Sequence, residues 1–251
     1  FKPDFIESIR NLTYLFIQEN KAEEALQVTE SASFNSLDNN EIKHLHAKAA
    51  NAAGQHALAV TLYETLLASN PDDISLRHDL GIAYRLNGQA SKALEQFKSV
   101  LDVVKDSFAL YHNLANTYSD LGDLNPAIEY YHKALELNPT YLDSHVNLNN
   151  LLWESGDEDN FLKSYEGVLD SGQATPELIF SYVHFLIRAE DFKRGLDTLD
   201  NFRHFLENDP EFFNLKGKCL FSVKEYSEAL DAMQFATGHA NTTADHRTEF
   251  A

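Results

Sequence analysis

The chain has 251 residues, and 43% of them are apolar, enough to bury a core; its 10 glycines and 6 prolines are too few for linkers or low-complexity tracts. Its net charge of −19, from 39 acidic against 20 basic residues, opposes approach to phosphate backbones and anionic lipid, which excludes nucleic acid and membrane surfaces as partners and makes a basic protein partner the easier one. The single cysteine, Cys219, excludes an internal disulfide and a cysteine-based zinc site, and no apolar run reaches the ~20 residues of a membrane span. No cofactor or metal is expected, and a soluble chain, cytoplasmic rather than secreted, is the reading. Phe1 at the start, with no basic-then-apolar leader, reads as a segment of something longer.

Sliding the sequence by 34 residues aligns Ala25, Ala59, Ala93, Ala127, Gly195 and Ala229. The same step aligns the aromatics Tyr63, Phe97, Tyr131 and Tyr165 and the turn glycines Gly54, Gly88, Gly122 and Gly156. Seven units follow without insertion or deletion, at 6–39, 40–73, 74–107, 108–141, 142–175, 176–209 and 210–243, with a tail at 244–251.

The first unit departs from the pattern, with Thr29 at the aromatic place. The second and third are regular. In the fourth, Tyr111, Leu114, Ala115 and Tyr118 follow the i, i+3, i+4, i+7 spacing of one helix face. Gly122 breaks that helix, and Pro126 falls near the start of the next, where its missing N–H costs little. Ala127, Tyr131 and Ala134 form the inner face of this second helix, and Asn138-Pro139 ends it. The fifth unit has Asn149 and Phe161 where small residues belong, so its two helices should be splayed or shifted, and it carries Asp157-Glu158-Asp159 at its turn. The last unit has Lys216 where leucine is expected; polar residues at both ends suit terminal caps. The tail, with Asp245-His246-Arg247, reads as part of a further helix or as an appended end.

Leu114, Ala115, Tyr118, Gly122, Ala127, Tyr131, Ala134 and Pro139 reproduce the signature of the tetratricopeptide repeat, and Leu80, Gly81, Tyr84, Gly88, Ala93 and Phe97 nearly do. The chain thus resembles that family over nearly its whole length. The resemblance implies an all-α, right-handed solenoid of antiparallel helix pairs, whose first helices line a concave groove that binds a peptide or protein segment.

The stripe not used in packing is the second, fifth, sixth, ninth, twelfth and thirteenth residue of each unit. It includes Glu41, His44, Lys48 and Asp79, and its central stretch gives the candidate binding residues His78, Arg85, His112, Asn113, Asn116, Asn147, Asn150, Trp153 and Glu154. His44, His78 and His112 share one place in successive units and should stack as a hydrogen-bonding, pH-sensitive rail or stand as solvated polar residues. Two Asn-x-x-Asn pairs, Asn113/Asn116 and Asn147/Asn150, offer amide donors and acceptors to a peptide backbone, similar to the asparagine ladder of O-linked N-acetylglucosamine transferase superhelices. Trp153, the sole tryptophan, is either an anchor for a partner or a packing residue.

The carboxylate clamp of chaperone-tail adaptors maps onto His112, Asn116, Asn147, Glu177 and Ser181; the clamp's cations are missing, so binding of acidic chaperone tails is disfavoured. No nucleophile elbow, phosphate loop, dinucleotide fingerprint or HExxH stands in the sequence, so no enzyme is expected within this segment. The expectation is a protein-interaction module. The alternatives are the substrate-recruiting arm of a larger transferase or oxygenase, and a self-assembling scaffold.

Overall fold

The computed structural model describes residues 3–35 and 39–248. They fall into two compact units, Phe1–Leu137 and Asn138–Ala251. All regular structure among the described residues is helical.

The first unit holds α1 (Pro3–Gln18), α2 (Ala22–Asn35), α3 (Asn40–Ala52), α4 (His56–Ser69), α5 (Ile74–Leu86), α6 (Ala90–Leu101), α7 (Phe108–Asp120) and α8 (Leu124–Leu137). The second holds α9 (Leu142–Ser155), α10 (Lys163–Asp170), α11 (Pro176–Arg188), α12 (Phe192–Asn201), α13 (Arg203–Leu206), α14 (Pro210–Ser222) and α15 (Tyr226–Thr248). Within each unit short turns send each helix back along its predecessor, giving a solenoid of antiparallel pairs.

Helices α3, α5, α7, α9, α11 and α14 begin at Asn40, Ile74, Phe108, Leu142, Pro176 and Pro210, a step of 34 residues each time. Local chemistry fixes these starts. The residue just before carries a capping side chain: Asn39, Asp73, Ser107, Thr175 and Asp209 each accept from a backbone N–H of the first turn. Tyr141, before α9, gives no such bond.

The turns within pairs recur with the same period. Gly54, Gly88, Gly122 and Gly156 all have φ between 72° and 79°. At the same step stand Asn20, Glu190 and Lys224, which hold φ of 60°, 59° and 70° with a side chain attached. The left-handed conformation disfavours a Cβ, so glycine suits the place and the other three residues carry strain.

In the first unit the core is a column of second-helix residues, Ala59, Tyr63, Ala93 and Phe97, with Ala127, Tyr131 and Ala134 on α8; all are at most 2% exposed. Each aromatic ring so buried contributes about 1.5–3 kcal/mol over leaving it in water. Close approach is most demanding at Gly81, where an added Cβ would lie 2.6 Å from Cε1 of Phe97.

In the second unit the pattern breaks where Asn149 and Phe161 replace small residues. Helix α10 begins only at Lys163 and has 8 residues, against 14 in α8. Its lost first turn is replaced by Leu162 at φ +70°, buried to 3%. The buried Asn149 braces this bend: its Oδ1 accepts from the Leu162 N–H at 2.6 Å, while Nδ2 donates to His145 O at 2.8 Å and Ser164 Oγ at 2.9 Å. The departure is thus a shortened second helix held by a side-chain amide.

Two further differences concern the end of the chain. The sixth pair's second helix stops at Asn201 and resumes as the short α13, and α15 continues unbroken to Thr248. The tail expected at 244–251 therefore starts as helix, while residues 249–251 lie outside those described. Among the described residues no helix is long and apolar enough to cross a membrane.

Candidate functional site

The exposed faces of α3, α5 and α7 carry polar side chains at the repeat spacing, and these are joined to one another. His44 Nε2 lies 2.7 Å from Asp79 Oδ2, which also receives Lys48 Nζ at 3.0 Å. One helix further on, Asn113 Nδ2 lies 3.2 Å from His78 Nε2. Arg85 Nη1 donates to Asp120 Oδ2 at 3.3 Å. The three contacts span 35 residues each, so each links one place on a first helix to the next place on the following first helix.

Asp79 is the centre of the charged part. Burial opposes its ionisation, but the hydrogen bond from His44, the nearby His78 ring, and the charge and hydrogen bond of Lys48 outweigh it and hold the carboxyl well below the usual carboxylate range. An amide nitrogen only donates, so His78 Nε2 accepts from Asn113 and the ring proton sits on Nδ1, which lies 3.8 Å from Asp79 Oδ1.

Each histidine also rests edge-on against the aromatic residue of its own pair's second helix: His44 on Tyr63, His78 on Phe97 and His112 on Tyr131, with ring centres 5.7–5.9 Å apart. The rail of stacked histidines expected from the sequence is therefore replaced by histidines held individually. His112 differs again. It is only 8% exposed, and its Nε2 meets Asn116 Nδ2 at 2.9 Å while Tyr131 donates to Asn116 Oδ1 at 2.5 Å. Its place on the stripe does not make it a surface group: the Tyr131 ring and the Asn116 amide cover it. His112 orients Asn116.

In the second unit the remaining candidates stand on α9. Asn147 and Asn150 are half-buried, and Trp153 and Glu154 are exposed. Asn150 Oδ1 accepts from Arg188 Nη1 at 2.9 Å, and the Arg188 guanidinium lies 5.1 Å from the centre of the Trp153 ring. Phe161, the residue that breaks the packing pattern, lies against the other part of this cluster, 5.2 Å from Trp153 and 5.8 Å from Phe185. Trp153 thus packs on Phe161 and still keeps 38% of its surface exposed.

Arg188 is not among the candidates named from the sequence, which were drawn from the central stretch of the stripe. It occupies the thirteenth place of the sixth unit, which the same periodicity reaches.

A second polar cluster lies inside this unit. His145, 2% exposed, meets Pro139 O through Nε2 at 2.8 Å, so Nε2 carries the proton and Nδ1 accepts from Ser164 Oγ at 3.0 Å. Burial lowers the His145 pKa and the Pro139 carbonyl partly opposes this, which keeps the ring neutral. With Asn149 the group is a closed structural network. Within each unit the first-helix faces present amides, imidazoles and paired charges that can accept and donate hydrogen bonds. Among the described residues no group of three or more His, Cys, Asp or Glu is arranged to hold a metal ion.

Helix pairs stepped by 34 residues, with small residues between their helices and a polar first-helix face, define a class of helical repeat protein built for contact with other proteins. The family models for the tetratricopeptide repeat match residues 50–117 and 108–141. Residues 50–141 therefore carry tetratricopeptide repeats, a helical repeat module that supports protein interaction and is typically non-catalytic.

No curated protein sequence matches the chain. Solved structures do. A tetratricopeptide repeat protein from Parabacteroides merdae ATCC 43184 superposes with a TM-score of 0.56 at 15% identity, covering 93% of each chain. A thermophilic TPR protein of Thermus thermophilus gives 0.59 at 21%, covering 72% of this chain and 99% of its own. MamA from Desulfovibrio magneticus RS-1 gives 0.55 at 20%, covering 68% of this chain and 96% of its own. At these identities the likeness is one of fold.

Proposed function

We propose that the chain binds a polypeptide segment along its first-helix faces, through His78, Arg85, Asn113 and Asn116 on the first unit and Asn147, Asn150, Trp153 and Glu154 on the second. His112 acts through Asn116. The observation that carries the reading is the set of contacts at a separation of 35 residues, His44 to Asp79, His78 to Asn113 and Arg85 to Asp120. They fix polar groups in place before any partner arrives, which lowers the ordering cost of binding.

Two of them also pair Asp79 and Asp120 with basic side chains on the first unit's face, so amides and imidazoles there are left to recognise backbone more than side-chain charge. Neighbouring helices lie about 8–10 Å apart, so an extended segment at about 3.3 Å per residue would pass one helix pair every three residues or so. The division into seven repeats, 6–39 to 210–243, belongs to the same reading, supported by the left-handed residue that recurs from Asn20 to Lys224.

The test is Asn113→Ala combined with Asn147→Ala. Affinity for a partner captured by the immobilised chain should fall at least tenfold, with far-ultraviolet circular dichroism and melting nearly unchanged. Unchanged affinity would move the site elsewhere.

A further inference from the structure

Among the described residues the second unit holds a cation that no carboxylate neutralises. Acids outnumber bases 39 to 20 in this chain; Arg10, Arg85, Arg194 and Arg203 each pair with a carboxylate, while Arg77 of the first unit donates to Gln96 and to Pro71 O. Arg188 pairs with no carboxylate. Among the described residues its polar partner is the neutral amide of Asn150, and its guanidinium carbon lies 5.1 Å from the centre of the Trp153 ring. Glu154, next to Trp153, is exposed and forms no ion pair with it among the described residues.

The support for this cation is built from several elements. Asn150 and Trp153 stand one turn apart on α9, so both face the C-terminal end of α11 where Arg188 sits. Phe161 backs Trp153, and Phe185, one turn before Arg188, backs Phe161. A guanidinium has five N–H donors in one plane. Asn150 takes one donor of Nη1, which leaves the other donors of the fork for a carboxylate. The Asn150 bond and the Trp153 ring beside the guanidinium restrict where the fork can lie, and Trp153 keeps 38% of its surface exposed.

We infer that Arg188 and Trp153 form a receptor for one acidic side chain of the bound polypeptide, an aspartate or glutamate with an apolar residue next to it. The carboxylate takes two parallel hydrogen bonds from the remaining donors of Arg188, and the apolar neighbour covers the exposed tryptophan ring. This inference rests on the polypeptide-binding reading above and adds the partner's chemistry to it. It runs against the long-range field of a chain with net charge −19, which favours basic partners. At physiological salt that field is screened over about 8 Å, so a directed contact can still select an acid at one position of an otherwise basic or neutral segment. Arg188 is not among the five residues on which the chaperone-tail clamp would fall, so this receptor differs from that clamp.

The experiment pans a phage-displayed library of random dodecapeptides against the full chain and against Arg188→Gln. The expected outcome is that wild-type chain enriches peptides sharing an acidic residue beside an apolar one. Synthetic copies should change the fluorescence of Trp153, the sole tryptophan. Replacing the peptide's acid by its amide should weaken binding to the wild type about tenfold and leave binding to Arg188→Gln unaltered. Arg188→Lys, which keeps the charge without the fork, should retain only part of the discrimination.

Enriched peptides with no shared acid, or an acid-to-amide penalty equally large in Arg188→Gln, would overturn the inference and leave the polypeptide-binding reading standing. Failure of the wild type to enrich any peptide would overturn both. Arg188 is exposed, so circular dichroism should show both variants folded as the wild type.

Discussion

Asn149→Ala separates the demands of the repeat pattern from those of the structure. Alanine is a regular residue at this place, as Ala115 shows one unit earlier, so the pattern alone would make the change neutral or stabilising. The structure requires the opposite. Asn149 is fully buried, and its Oδ1 is the acceptor for the N–H of Leu162, itself 3% exposed. Truncation leaves that N–H buried without a partner, at a cost of about 1–3 kcal/mol. It also removes the donor to Ser164 Oγ and to His145 O, each bond adding about 0.5–1.5 kcal/mol. Some of this is recovered by relaxation of the exposed 158–160 turn, so a net loss of about 2–3 kcal/mol is expected.

Repeat arrays often unfold in parts, so a single melting temperature is a blunt measure here. Hydrogen exchange read at the amides of Leu162, Tyr165 and Val168 is the better assay. About 2 kcal/mol of local destabilisation corresponds to exchange roughly thirtyfold faster at these sites, with little change in the first unit. Wild-type exchange at Leu162, or a rise in stability, would refute the brace and with it this explanation of the short α10.

Three other outcomes follow from the same structure. Gly81→Ala places a Cβ 2.6 Å from the Phe97 ring and should cost about 1–3 kcal/mol by urea unfolding of the first unit, although alanine is common at this place; a neutral result would mean that α5 and α6 can part freely. Glu190→Gly should stabilise the second unit by up to about 1 kcal/mol in the same assay, since Glu190 holds φ at +59°; destabilisation would point to an unseen role for its side chain. Acid should loosen the second unit through His145. Burial lowers its pKa, so as pH falls below about 6.5 the unfolded chain takes up a proton that the folded ring refuses, and stability declines until the folded pKa is passed. Melting should therefore drop as pH falls below about 6.5, and His145→Gln should flatten that slope; an unchanged slope would remove His145 as its source. Asp79 acts only at lower pH, because its folded pKa lies below the carboxylate range and its contribution is lost as pH falls through that range.

The helical repeat was legible because its determinants are local. Gly88 and Gly122 mark turns, and Ala93 with Phe97 marks an inner helix face, without knowledge of any neighbour. The capping residues Asn39, Asp73, Ser107, Thr175 and Asp209 are as local and could have sharpened the helix starts.

What was hidden depends on how one helix sits on the next. His112 lies on the polar stripe by count, but the ring of Tyr131 and the amide of Asn116 cover it. Asn149 reads as a packing error until Leu162 is seen to turn left-handed in front of it. Trp153 could be read as an anchor or as a packing residue; Phe161 supports it, Arg188 covers part of it, and the rest stays open for the proposed contact.

The account stands on partners meeting the first-helix faces. The most direct measurement places a photo-crosslinking amino acid at Ser119, on the polar face of α7, and in a separate variant at the exposed His132 on α8. Each is irradiated with the same partner. Crosslinks from position 119 and none from 132 are the predicted result. Equal yields from both, or crosslinks from 132 alone, would contradict the account.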